Sequence, residues 1–223
     1  MSLLPIWIRL DRRPVLVVGA GTVALAKIES LRSTGAQIIV VAPAATPQLL
    51  ELVENGDLTW HARVFRPSDL EGAFLVIAAT NDTAVNRAVY EESLRRNVLC
   101  NAVDDPPNCD FYFGSVIARG DLQIAISTAG ESPALAQRLR REIDDQLPHD
   151  LGPWLSELGN LRREIRAAAP AGPARNLLLH ELAQRHLCES PGCPTRQYAQ
   201  ERIAELQKAE LQKAELENVE VSA

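Results

Sequence analysis

Disulfide scaffolding, bulk positive charge and long apolar runs are all missing from this chain, and each absence narrows what it can be. Its four cysteines, Cys100, Cys109, Cys188 and Cys193, are too few and too irregularly spaced to staple 223 residues. A reducing compartment, the cytoplasm, is therefore expected. Acidic residues outnumber basic ones by 29 to 23, for a net charge of −6. That balance excludes a nucleic-acid or anionic-membrane partner recognised through bulk charge. Any anionic ligand has to meet a local concentration of cations. No apolar run approaches the roughly 20 residues of a membrane-spanning helix. The opening segment "MSLLPIWIRLDRRP" carries its charges after its apolar residues and shows no small-residue cleavage site, so it is read as mature sequence of a soluble protein.

What is present is a chain 46% hydrophobic, long enough to bury a core in one large domain or two small ones. "PVLVVGAG" (residues 14–21) is a β-branched run flowing into glycines, the pattern of a strand buried on both faces. "TVALAKIESLRSTG" then reads as a helix ending on Gly35, "AQIIVVAP" as a second strand, and Thr46-Pro47 as N-cap and first residue of another helix. "LTWHARVF", "AFLVIAAT" and "VLCNAV" supply further strands, with Asp82 capping the helix between the last two. Strands alternating with helices at this spacing predict an α/β fold with a doubly wound, Rossmann-type parallel sheet over residues 1–112. Residues 113–147 change character: two strands meet at a turn near Arg119-Gly120-Asp121, and a helix follows with Ser132 as N-cap and Pro133 at its first position. Residues 148–223 read as a helical region that Pro170, Gly172 and Pro173 break into two pieces. Its tail repeats "AELQK", a five-residue step that turns each leucine roughly 140° round a helix and makes no continuous apolar stripe. A solvated terminal helix is expected there, with a partner-binding helix as the alternative.

"VVGAGTVA" holds Gly19-x-Gly21-x-x-Ala24, the alanine-ended dinucleotide fingerprint. The first glycine permits the tight turn, the second lets backbone approach a pyrophosphate, and the small third residue lets helix and strand pack closely. The helix N-terminus adds free N–H groups and a positive dipole. The acidic residue that ordinarily holds the adenine ribose about 20 positions on is absent, because the second strand ends in Ala42, Pro43 and Ala44. No arginine takes its place for a 2′-phosphate, so NAD is expected over NADP. The fourth strand ends in Thr80, Asn81 and Asp82 and the fifth in Asn101, Val103, Asp104 and Asp105, all expected to face the nucleotide crevice. Asp104-Asp105 before Pro106-Pro107 is either a charged turn or a pair in which one carboxylate accepts a proton. His180, His186, Cys188 and Cys193 lack the spacing of a ready metal site, so no permanently bound metal is expected.

From "LPIWIRLDRRPVLVVGAGTVALAKI" through "ATND" and "NAVDDPPNCDFYFGSVIARGDLQIAISTAGESPALAQRLRREI", about residues 3–147, the chain resembles the dehydrogenase module of siroheme synthases. These are precorrin-2 dehydrogenases, some of which are also sirohydrochlorin ferrochelatases. The resemblance implies NAD-dependent oxidation of precorrin-2 to sirohydrochlorin, a homodimer formed through the region after the sheet, and a tetrapyrrole bound between that region and the nucleotide domain. It implies cofactor contacts at Thr22 and Val23 and again at Pro43 and Ala44, joining Gly19, Gly21, Thr80, Asn81, Asn101 and Val103. Asp104 matches the family's functional aspartate, the proton acceptor and, in bifunctional members, a residue implicated in inserting Fe2+. Ser115, Thr128 and Ser132 are assigned to the substrate. Arg138 and Arg141, three apart on one helix face, offer cations for its carboxylates, with a solvated helix face as the plain alternative. The methyltransferase that often accompanies this module would need more than the roughly 75 residues after 147, so a separate uroporphyrinogen methyltransferase upstream is expected. The rival reading is an NAD(H)-sensing regulatory domain, which would need neither Asp104 nor a tetrapyrrole.

Overall fold

Five short apolar runs make the central sheet: β1 (Pro14–Val18), β2 (Gln37–Ala42), β3 (Thr59–Ala62), β4 (Leu75–Ala78) and β5 (Leu99–Ala102). The computed structural model describes residues 3–185 and 192–221. All strand pairings in the sheet are parallel and the order is β3-β2-β1-β4-β5. Parallel neighbours require crossovers, which α1 (Thr22–Arg32), α2 (Pro47–Glu54) and α3 (Thr83–Arg96) provide. The sheet is doubly wound, and its order reverses between β1 and β4.

Period-two alternation in β1 sorts its side chains into two cores. Val15 and Val17 join Ala24, Ile28 and Leu49 of α1 and α2 on one face. Leu16 and Val18 join Val89 of α3, Val76 and Cys100 on the other. Burial on both faces is why these strands are unbroken runs of Val, Leu and Ile. Edge strand β3 is largely exposed and shorter than the run "LTWHARVF" predicts. Arg63, which that run would include, instead holds the Asp69 carboxylate with two hydrogen bonds of 2.8 and 2.6 Å.

Of the expected caps, Asp82 accepts from the Ala84 and Val85 N–H groups at 2.9 and 3.3 Å. Thr46 stands at the N-cap of α2 but makes no side-chain cap bond; its hydroxyl is buried and has no partner among the described residues. Pro47 at the first helical position, already set to helical φ, starts α2 in its stead.

The chain divides into two units, residues 1–113 with 127–132, and residues 114–126 with 133–223. In the second unit β6 (Ser115–Arg119) and β7 (Leu122–Ile126) form an antiparallel hairpin over Gly120, whose φ is +58°. Gly152 of α5 (Leu151–Ala168) lies so close that an added Cβ would come within 3.0 Å of the Arg119 carbonyl. Arg119 also pairs with Asp144 of α4 (Pro133–Asp144) at 2.5 Å. Among the described residues the helical region contains three helices rather than two pieces, because Pro194 opens a further one: α5, α6 (Pro173–Ala183) and α7 (Pro194–Val221). Leu161, Ile165, Leu178, Leu182, Cys193 and Ala199 are their shared core. From Gln207 to Gln212 the side chains of α7 are exposed, as a repeat without an apolar stripe requires.

Gly19 is the position on which the sheet's switch point turns. Its φ is +113°, and a Cβ there would stand 2.3 Å from the Ala79 carbonyl oxygen. Gly19→Ala is therefore expected to destabilise the first unit by more than about 2 kcal/mol, read as a lower urea midpoint at unchanged slope. An unaltered midpoint would contradict the close approach.

Candidate functional site

The carboxyl ends of β1, β4 and β5 lie side by side on one edge of the sheet, so the segments that follow them are neighbours. After β1, Gly19 N–H donates to the Val41 carbonyl at 2.9 Å and the turn passes directly over Ala79. Gly21 is exposed, and a Cβ there would meet nothing within 4 Å. Its missing side chain is thus not needed for packing; it leaves backbone open to a ligand. Ala24 is fully buried between α1 and the sheet. The three small residues divide as the fingerprint requires: one for the turn, one for approach, one for packing. The first-turn N–H groups of α1, at Thr22 and Val23, have no intrahelical partner and point out of the helix N-terminus. This cradle fits a dinucleotide pyrophosphate.

At the end of β2, Pro43 and Ala44 are exposed and carry no acid. Trp60 Nε1 from β3 donates to the Ala42 carbonyl at 3.1 Å, closing the strand end beneath them. At the end of β4, Thr80 is half-buried and Asn81 exposed. Asn86, which the sequence did not single out, reaches back from α3 to hold this turn. Its Oδ1 accepts from Thr80 N–H at 3.2 Å and Thr80 Oγ1 at 2.7 Å, while its Nδ2 donates to the Thr80 carbonyl at 3.0 Å. Only 6% of Asn86 is exposed, so these bonds are its solvation.

The segment after β5 is held by a compact network. Asn101 is buried and its Nδ2 donates to the Phe111 carbonyl at 2.7 Å, with Cys109 Sγ 3.5 Å away. Its side chain therefore faces into the loop and not into the open crevice expected from its strand-end position. Cys109 donates to the Ala102 carbonyl at 3.0 Å, and Asp110 accepts from Cys100 N–H at 2.9 Å. Burial pushes the Cys100 thiol up to about 12 and raises that of Cys109, so both are neutral packing groups rather than nucleophiles. Val103 is half-buried, its N–H bonded to the Ala78 carbonyl at 2.9 Å.

The two adjacent aspartates are not alike. Asp105 accepts from Asn108 Nδ2 at 2.6 Å and opens the short 3-10 turn Pro106–Asn108. Asp104 is exposed, with φ at +60°, a left-handed conformation that aspartate tolerates better than most residues. Among the described residues it makes no hydrogen bond or ion pair. One carboxylate is consumed by the turn and the other is presented beyond it.

The residues expected at the substrate fall in both units. Thr128 and Ser132 belong to the first, where Thr128 Oγ1 accepts from Ser132 N–H at 3.2 Å around Ala129 and Gly130, both at positive φ. Ser115, Arg138 and Arg141 belong to the second. Arg138 Nε lies 3.2 Å from Glu142, and both Arg138 and Arg141 are exposed on α4. Of the four residues considered for a metal, His186 and Cys188 lie outside the described residues. Cys193 is buried in the helical core and His180 is exposed.

Asn86→Leu is expected to lose about 1–3 kcal/mol, since it strands the Thr80 amide and carbonyl, and to weaken NAD+ binding because that turn borders the cradle. Thermal unfolding and nucleotide titration measure the two effects; unchanged nucleotide affinity would confine Asn86 to stability.

A family model of NAD(P)-binding domains matches residues 6–115, and a second, "Sirohaem biosynthesis protein central", matches residues 119–146. Siroheme synthase 1 of Yersinia enterocolitica is 45% identical over 166 residues, 74% of this chain and 35% of that protein. Siroheme synthase 1 of Aeromonas hydrophila is 38% identical over 206 residues, 92% of this chain and 44% of that protein. The chain thus spans less than half the length of these curated relatives. Among solved structures, SirC, a precorrin-2 dehydrogenase, superposes with a TM-score of 0.75 at 27% identity, covering 90% of this chain and 98% of that one. Matched by the two family models over residues 6–115 and 119–146 and by SirC along 90% of its length, the chain belongs to the family of siroheme synthase dehydrogenase modules.

Proposed function

We propose that this chain catalyses the NAD-dependent oxidation of precorrin-2 to sirohydrochlorin in siroheme biosynthesis. The observation that carries the reading is the exposed, unpartnered Asp104 carboxylate, set beyond β5 on the same sheet edge as the glycine turn. Its support is the family membership and the likeness to SirC.

In this reading the backbone at Gly19 and Gly21 and the N–H groups of Thr22 and Val23 seat the pyrophosphate. Pro43 and Ala44 border the adenosine, and Thr80, Asn81 and Val103 border the nicotinamide half. Asn101 acts through the loop it braces. NAD+, when bound, supplies the hydride acceptor. Oxidation removes a hydride and a proton from precorrin-2, and Asp104 takes the proton. Ser115, Thr128, Ser132, Arg138 and Arg141 contact the tetrapyrrole, the two arginines through its carboxylates.

The same carboxylate serves a second step if the enzyme is bifunctional: Fe2+, as substrate, replaces two pyrrole protons of sirohydrochlorin, and Asp104 receives them in turn. We further propose a homodimer formed through residues 113–147, followed by the helical region 148–223. The hairpin supports this, since Val116 is left exposed on a sheet of only two strands. In this reading a uroporphyrinogen methyltransferase activity supplies the substrate. A cytoplasmic setting accords with Cys100 and Cys109, which are thiols.

Asp104→Asn tests the assignment, because asparagine keeps the left-handed backbone and removes the base. It is expected to slow precorrin-2 oxidation by roughly 100-fold or more at unchanged NAD+ affinity and melting temperature, with metal insertion measured separately. Wild-type rates in both steps would remove Asp104 from the chemistry.

A further inference from the structure

Lys27 stands in the first unit with an incomplete set of partners. It lies on α1 and is half-buried, and its Nζ sits 4.3 Å above the centre of the Phe113 ring. Phe113 in turn meets Phe111 edge to face at 5.6 Å. Among the described residues Lys27 forms no ion pair. Burial lowers the pKa of Lys27, and the field of Asp104 offsets this only in part. The ammonium is close enough to Asp104 to feel its charge but beyond bonding distance, so each keeps its own bonding capacity.

An aromatic surface, one cation with donors to spare and one carboxylate with acceptors to spare are therefore gathered beside the β5 end. That combination suits a flat, polycarboxylated ring: the phenyl rings offer apolar contact, and the ammonium offers a charge-assisted hydrogen bond to a peripheral carboxylate. A nucleotide phosphate is a poorer match. Lys27 is five residues beyond Thr22, about 7.5 Å further along the helix axis than the N–H groups that face the pyrophosphate.

We propose that Lys27 docks a peripheral carboxylate of the tetrapyrrole and so orients the ring against Asp104. This rests on the substrate named above, and it adds a cation from the cofactor helix to those sought on α4. Lys27 is a binding and orienting residue; it moves no proton.

The test uses the purified full chain, comparing wild type with Lys27→Gln and Lys27→Arg. The Gln variant is expected to raise the KM for precorrin-2 and the Kd for sirohydrochlorin about tenfold, with the KM for NAD+ unchanged. The Arg variant restores most of the loss, because it keeps the charge. Unaltered tetrapyrrole constants in Lys27→Gln would overturn the proposal. So would equal rises in both KM values together with a fall in melting temperature, which would mark Lys27 as a tether for Phe113 alone. A wild-type protein that neither oxidises precorrin-2 nor binds sirohydrochlorin would instead overturn the functional reading beneath it, and the proposal with it.

Discussion

The contact between Gly19 and the Ala79 carbonyl is the constraint from which the rest of the site follows. It brings the turn after β1 onto the end of β4, where the sheet order reverses, with no side chain between them. A crevice can open there only because backbone meets backbone. The β4 end must then be rigid, and Asn86 supplies the rigidity by satisfying Thr80 on three sides. Cofactor cradle and support are thus one packed unit, built from α1, α3 and the central three strands.

The loop after β5 solves a different problem. A carboxylate that is to take the proposed proton has to be held in place without being neutralised by its own supports. Asn101, Cys109 and Asp110 tie the loop to the strand below, and Asp105 absorbs the hydrogen bond from Asn108. The left-handed turn at Asp104 then carries its carboxylate clear of all of them. Two adjacent acids differ in role because one closes the turn and the other leaves it.

The sheet was legible in the sequence because its signal is local. Unbroken Val, Leu and Ile runs ending in glycine or small polar residues mark buried parallel strands, and Gly19, Gly21 and Ala24 announce the turn between the first strand and α1. Asp82 was legible as a cap for the same reason. Asn86 was not, because its partners lie six residues away across a turn and nothing in its own neighbourhood distinguishes it from a surface helix residue. Lys27 was hidden likewise, since Phe113 and Asp104 reach it only through the tertiary fold. Thr46 had the right residue type at the right place, yet its hydroxyl turned into the protein. The α6–α7 break was hidden because Pro170 and Pro173 mark the more obvious interruption, while Pro194 also begins a helix.

On the proposed reading these features serve a single chemical event, in which a hydride leaves precorrin-2 for NAD+ at the shared ends of β1, β4 and β5. The most direct measurement is a single turnover of the purified chain with limiting precorrin-2 and excess NAD+, following NADH and tetrapyrrole absorbance together. The account predicts one NADH formed per sirohydrochlorin, appearing at the same rate. Binding of both ligands without any NADH would contradict it and would make the glycine turn a sensor rather than part of an active site.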